Sequence, residues 1–274
     1  MNLCGQNRFF IPIVLLLSLF LFQCAGTASK GTDTLNFITI EEELSLGEEL
    51  NSFTVRHLNI IRNSRLNGFL DEMAERIGAV SHWRGLDYSV FIINEPDINH
   101  FSLPGGNIYI FRGLLEQAVE ADEIASIIAH EIVHLSQRDA VARLGEKYSY
   151  SFAAQQVIGE NPEIADHLIM SLYRPDTILD YPPEQELSAD RIALQYTLDA
   201  GYDPRSMITL LEKIKEIERT QPGRLELLRM THTSTSSRLR RVQKEMRKLS
   251  IDPTRFQDDT ERFSSLKTLL TKIP

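Results

Sequence analysis

The segment Ala129-His130-Glu131-Ile132-Val133-His134-Leu135 places two histidines four residues apart with a glutamate beside the first. On a helix, positions i and i+4 lie on one face about a turn apart, so two imidazoles so spaced can share one metal ion. Glu131 projects about 100° further round the helix, where it can reach a metal-held water without itself ligating. Such chemistry would be hydrolysis, with the carboxylate as general base. The surrounding Ile124, Ile127, Ile128, Ile132, Val133 and Leu135 mark a buried helix. Three polar side chains in its middle need a partner, which a metal would provide.

The five-residue pattern arises by chance about once in a hundred chains of this composition, so it is not decisive alone. The competing reading is a helix whose histidines are simply hydrogen-bonded. A catalytic zinc also needs a third protein ligand and an open position. Glu186, in Glu186-Leu187-Ser188-Ala189-Asp190, fits that need. Asp190, one turn on, shares its face and can orient a ligand imidazole through the second ring nitrogen. The only cysteines are Cys4 and Cys24, so any metal bound beyond residue 24 is held by nitrogen and oxygen.

The elements that must position these residues are legible in outline. Ile40 to Val80 has helical spacing, with breaks expected at Gly47 and at Asn63-Ser64. Leu86 to Ile93 alternates as a strand, and Phe101 to Phe111 is a second extended segment bent at Pro104-Gly105-Gly106. One short helix ends near Glu120, and a long one is expected from an Asp122 cap to about Lys147. A helical pair is expected over roughly Tyr150 to Tyr173, then a proline-marked loop and a helix from Glu184 to Ala200, stopped by Gly201. The order is α+β: mostly helical, with a small mixed sheet.

The 274 residues are 42% hydrophobic and 24% charged, enough for a real core. A net charge of −9 argues against nucleic acid as a partner. The basic run Arg238 to Arg247 reads as the solvated face of an amphipathic helix. At the N-terminus, Arg8 precedes an apolar run from Phe9 to Phe22 that is short for a spanning helix. It leads into Gln23-Cys24-Ala25-Gly26, which resembles a bacterial lipoprotein signal, although Gln23 stands where a small residue is usual. The expected division is a signal over 1–24, a tether over 25–39 and a metallopeptidase domain over 40–274. Export, a lipid anchor on Cys24 and an outer-membrane site facing the periplasm follow as expectations.

Ser102-Leu103-Pro104-Gly105-Gly106-Asn107-Ile108-Tyr109-Ile110, then Asp122-Glu123, the histidine motif and Glu186…Asp190 occur in an order and spacing that resemble the HtpX-like gluzincin zinc metallopeptidases. That family includes the bacterial envelope lipoprotein proteases LoiP and BepA, and the resemblance spans roughly residues 40 to 248. It implies a zincin-like fold with one Zn²⁺ per chain on His130, His134 and Glu186. Glu131 would be the base and Asp190 a support behind the ligands. It further implies that Asn107 to Phe111 is an edge strand, so that Gly106, Asn107, Ile108 and Tyr109 bind an extended substrate by β-pairing. Thr231-His232-Thr233 resembles a Thr-His-Pro element, which would let His232 donate to an oxyanion or cap the metal at rest, with Arg238 following. Its competing reading is an ordinary histidine. Val133, Asp139 and Thr233 depart from the family pattern without touching the ligands.

These expectations combine into a zinc endopeptidase for unfolded or damaged envelope proteins. The alternative is a zinc-stabilised chaperone or assembly factor for outer-membrane proteins that does not cut. His57, His82, His100 and His167 are expected to lie outside the chemistry, Trp83 to pack, and Tyr148, Tyr150 and Phe152 to form an aromatic cluster.

Overall fold

The computed structural model describes residues 39–147 and 179–274. The expected signal segment with Cys4 and Cys24, the expected tether up to residue 38, the expected helical pair over 150–173, His167 and the expected aromatic cluster lie outside them.

Helix α1 (Ile40–His57) opens with a reciprocal cap: Thr39 accepts from the Glu42 amide and the Glu42 carboxylate accepts from the Thr39 amide. Three acids in its first turn and Arg56 and His57 in its last complement the helix dipole. Contrary to expectation, α1 runs unbroken through Gly47. That glycine is needed for contact: a Cβ there would lie 2.2 Å from the Pro104 carbonyl oxygen. After a two-residue strand β1 (Ile60–Ile61), Asn63 caps α2 (Ser64–Gly78).

The sheet adds β2 (Ser89–Ile93), β3 (His100–Leu103) and β4 (Asn107–Phe111), in the order β1-β2-β4-β3. β2 and β4 are parallel and the outer pairs antiparallel. The tight β3–β4 turn needs Gly106, whose φ is +88° and where a Cβ would fall 2.0 Å from the Asp87 carbonyl oxygen. The expectation that Asn107 to Phe111 forms an edge is corrected: β4 is paired on both sides, by β2 and by β3. The antiparallel return through the glycine turn covers it and makes β3 the edge.

Strand alternation divides the sheet's two faces. Val90, Ile92, Ile108 and Ile110 join the larger core with α2 and the helices after β4. Phe101, Leu103, Tyr109 and Phe111 pack with Leu46, Leu50 and Phe53 of α1. On β3, the residues that share the larger core's face are therefore His100 and Ser102, two buried polar side chains.

Beyond α3 (Arg112–Gln117), helix α4 (Ala121–Gln137) is buried almost throughout. Its cap is Glu120, not Asp122: the Glu123 carboxylate reaches back to accept from the Val119 and Glu120 amides and also takes Lys213 Nζ at 2.6 Å. The expected single helix to Lys147 is interrupted at Arg138, the one described non-glycine residue with positive φ (57°). A left-handed turn there costs roughly 1–2 kcal/mol. It lets Arg138 pair with Glu43 of α1 and starts α5 (Asp139–Lys147) in a new direction. The remaining α-helices among the described residues are α6 (Pro183–Asp199), α7 (Ser206–Thr220), α8 (Glu226–Thr231), α9 (Thr235–Met246) and α10 (Thr260–Leu270). α4 packs against α2, α6, α7 and β3, so the site lies where one central helix meets the sheet's open edge. No helix among the described residues is long and apolar enough to cross a membrane.

Candidate metal centre and active site

His130 and His134 sit on α4 with Nε2 atoms 3.1 Å apart, and Glu186 enters from α6. The Glu186 oxygens lie 3.2 Å from His134 Nε2 and 3.8 Å from His130 Nε2. A tetrahedral ion with bonds of about 2.0–2.1 Å separates its ligand atoms by about 3.3–3.4 Å. The three measured edges bracket that value. All three residues are buried, and neither Glu186 oxygen accepts a well-aligned hydrogen bond, its nearest polar neighbour being His134 Nε2. A buried carboxylate is costly unless something cationic meets it, the His134 proton or a metal ion in its place. The nitrogen and oxygen donor set therefore fits zinc.

Behind each imidazole stands a carboxylate. His130 Nδ1 is 3.0 Å from Asp190, and His134 Nδ1 is 2.7 Å from Asp139. Donation of these Nδ1–H groups leaves both Nε2 lone pairs for a metal. Asp190 is itself gripped by Arg238, whose Nη2 is 2.8 Å away and whose Nε is within 3.0 Å. Arg238 is 2% exposed, which corrects its reading as part of a solvated basic face. Asp139 also accepts from Gln185, and the Tyr181 ring stacks on His134 at 4.3 Å.

The electrostatics agree. Burial disfavours the Glu186 carboxylate, but His232, His134 and His130 outweigh it and hold its pKa down at about 2. Burial likewise raises Asp190, and Arg238 and His130 more than reverse this. For His134 the burial penalty is overcome by Asp139 and Glu186, so its pKa rises to about 10 without a metal. A dication replaces that proton, and binding is accompanied by its release.

Glu131 points away from the trio toward β3, as its position on the helix predicts. Ser102 Oγ donates to Oε2 at 2.7 Å, and His100 Nδ1 contacts Oε1. Burial lowers the His100 pKa to about 3, with His232 adding to the effect against Glu131's opposing pull. His100 is thus neutral and donates from Nδ1. Its Nε2 is buried and unpartnered. For Glu131, burial is outweighed by hydrogen bonds from His100 and His232, which keep its carboxylate ionised. His232 Nε2 lies 3.9 Å from Glu131 Oε1, and its Nδ1 is 2.8 Å from Thr231 Oγ1.

The structure thus brings together His130, Glu131, His134, Glu186, Asp190 and His232. Of the other expected site residues, Asn107 donates from Nδ2 to the Pro104 and Gly47 carbonyls, supporting the turn. Ile108 faces the larger core, Tyr109 donates to Asn51, and Gly106 shapes the turn; none offers a free pairing edge. His100, expected outside the constellation, is in contact with Glu131, and this is a correction. Its signal was its i,i+2 relation to Ser102 in a strand of otherwise apolar residues. Asp139 could not be read as a partner of His134, because five residues on a continuous helix would point it elsewhere. His57 bonds Phe53's carbonyl, His82 contacts Tyr196, and Trp83 packs on the core, as expected.

Residues 61–246 match the model of Peptidase family M48. The mitochondrial metalloendopeptidase OMA1 of Schizosaccharomyces pombe is 28% identical over 178 residues, 64% of this chain and 51% of that protein. The OMA1 of Arabidopsis thaliana is 33% identical over 139 residues, 51% of this chain and 28% of its own length. The beta-barrel assembly-enhancing protease of Escherichia coli K12 is 27% identical over 230 residues, 76% of this chain and 45% of that protein. The chain therefore spans about half the length, or less, of these relatives. With the family model covering most of the chain, the chain belongs to Peptidase family M48, whose members are zinc-dependent metallopeptidases, and His130, His134 and Glu186 are a group that could hold the metal.

Proposed function

We propose that this chain is a zinc endopeptidase that hydrolyses internal peptide bonds of unfolded or damaged proteins in a bacterial cell envelope. The observation that carries the reading is the buried trio of His130, His134 and Glu186 beside an ionised Glu131. When bound, zinc supplies Lewis acidity that acidifies water and polarises a peptide carbonyl. Glu131 would accept the water's proton and return it to the leaving amine. Ser102 and His100 aim its two oxygens, and the buried surroundings exclude competing bulk water. His232, across from Glu131, would donate to the oxyanion.

Asp190 with Arg238, and Asp139 with Gln185, hold the two imidazoles in register. β3 is the sheet edge next to α4, so an extended substrate would add there by backbone pairing, in place of the β4 edge first expected. An unfolded segment presents such a strand readily, which suits damaged proteins as substrates. The envelope setting rests on the apolar run from Phe9 to Phe22 that leads into Gln23-Cys24, and on one relative's name, beta-barrel assembly-enhancing protease. A lipid anchor at Cys24 belongs to the same proposal.

Casein digestion by the full chain before chelation, after it, and after zinc is returned tests the reading. Cleavage that disappears and recovers supports a zinc peptidase. Casein bound but never cut would favour the non-catalytic assembly factor.

A further inference from the structure

Outside the zinc trio, one other group of metal-ligating side chains converges among the described residues: His100 from β3, Glu131 from α4 and His232 just after α8. Ligand atoms of the three lie within 4.8 Å of one another. The two imidazole rings are 4.3 Å apart, and His232 Nε2 faces Glu131 Oε1 at 3.9 Å. His232 anchors its other nitrogen on Thr231, which leaves Nε2 for a ligand. His100 is fully buried, and its Nε2 has no hydrogen-bond partner. An imidazole nitrogen in that state lacks either a proton donor or a metal.

The local charge points the same way. Glu131 is the anion of this group, and the buried guanidinium nearby, Arg238, is paired with Asp190 at 2.8 Å rather than with Glu131.

We propose that His100, Glu131 and His232 form a second, weaker site for a zinc-like divalent ion, and that its occupation inhibits the enzyme. The inference rests on Glu131 being the base, as argued above. Two imidazoles and a carboxylate select borderline transition metals over Mg²⁺ or Ca²⁺. An ion on this trio ties up the Glu131 carboxylate and the His232 nitrogen together. Cleavage then loses both proton transfer and the oxyanion donor, and the enzyme is switched off by the metal that activates it. The site is weaker because neither imidazole has a supporting carboxylate of its own, whereas Asp190 and Asp139 back the imidazoles of the first trio. His232 leans on a hydroxyl, and the other nitrogen of His100 contacts Glu131, itself a member of the group.

The test is a zinc titration of the metal-stripped full chain in detergent, read by equilibrium dialysis for bound zinc and by casein cleavage. Wild type should bind two zinc ions per chain in separable steps. Activity should rise with the first and fall on the order of 10²-fold as the second fills, the scale of a lost general base. Excess Mg²⁺ should not inhibit. His100→Ala should bind one zinc and lose the inhibition relative to its own one-zinc rate; His232→Asn should also bind one, which covers the case in which the first variant fails to fold. A wild type that stops at one zinc, or a second zinc that persists in both variants, overturns the proposal. If two zinc ions bind but casein is never cut, the second site stands and the peptidase reading fails, so the two are separable.

Discussion

The two histidine–glutamate groups of this molecule share α4 and are built differently. In the trio of His130, His134 and Glu186, each imidazole is backed by a buried carboxylate, and each carboxylate is held by a further side chain. In the group of His100, Glu131 and His232, the contacts are a serine, a threonine and the members themselves. The first is a site organised before its ion arrives. The second holds an anionic base between two imidazoles, an arrangement suited to moving a proton. Identical ligand types thus serve two ends, and the supporting residues decide which.

The largest effect should come from the organised trio. Glu186→Gln removes the only anionic donor, so tight zinc and casein cleavage should both be lost, as metal analysis of the dialysed protein would show. If Glu186→Gln keeps stoichiometric zinc, the trio is not the holding site.

Next come the supports. Asp190→Asn should weaken zinc binding about 10–100-fold, and Asp139→Asn by a similar factor, measured by competition with a chelator. Arg238→Met leaves Asp190 buried without its partner and should lower stability by about 3–5 kcal/mol in denaturant unfolding. Changes near zero at all three positions would erase the contrast between the groups.

A smaller effect tests how the β3 edge is placed. Gly47→Ala drives a Cβ into the Pro104 carbonyl and should cost about 1–3 kcal/mol. Because the clash displaces the turn after β3, cleavage per bound zinc should fall while zinc affinity holds.

The smallest effect lies at the other end of α4, away from both groups. Burial raises the Asp122 pKa to about 6 in the folded chain, helped by Asp203 and Glu120 and opposed by the Asp203 amide. The folded state therefore binds the proton more tightly than the unfolded chain, whose value is near 3.8. The protonated form's stability is full below about pH 4 and is lost as pH rises through 6. Asp122→Asn should raise the denaturation midpoint slightly at pH 7.5 and leave it unchanged at pH 4, with no change in zinc content.

What the sequence disclosed follows the range of each physical signal. The i,i+4 spacing of His130 and His134, and of Glu186 and Asp190, is set within single helices, so their shared faces could be read directly. The strands around the glycine turn were legible too, but not their lateral order, since pairing partners leave no local pattern. That is why β4 was mistaken for the edge. His100 joined the site only through the register of β3 over α4, a tertiary fact. Asp139 depended on one left-handed residue, Arg138, at which no glycine warned of a turn. Arg238 looked like one charge in a basic run, and only the packing of α9 on α6 buries it against Asp190.

The central claim is that Glu131 moves the proton while its neighbours hold the metal. The most direct measurement is casein cleavage by the full-length Glu131→Gln variant, normalised to its tightly bound zinc. The account predicts one tightly held zinc per chain, as at the first site of the wild type, with turnover reduced about 10²–10⁴-fold. A variant that keeps its zinc and digests casein at the wild-type rate would contradict it.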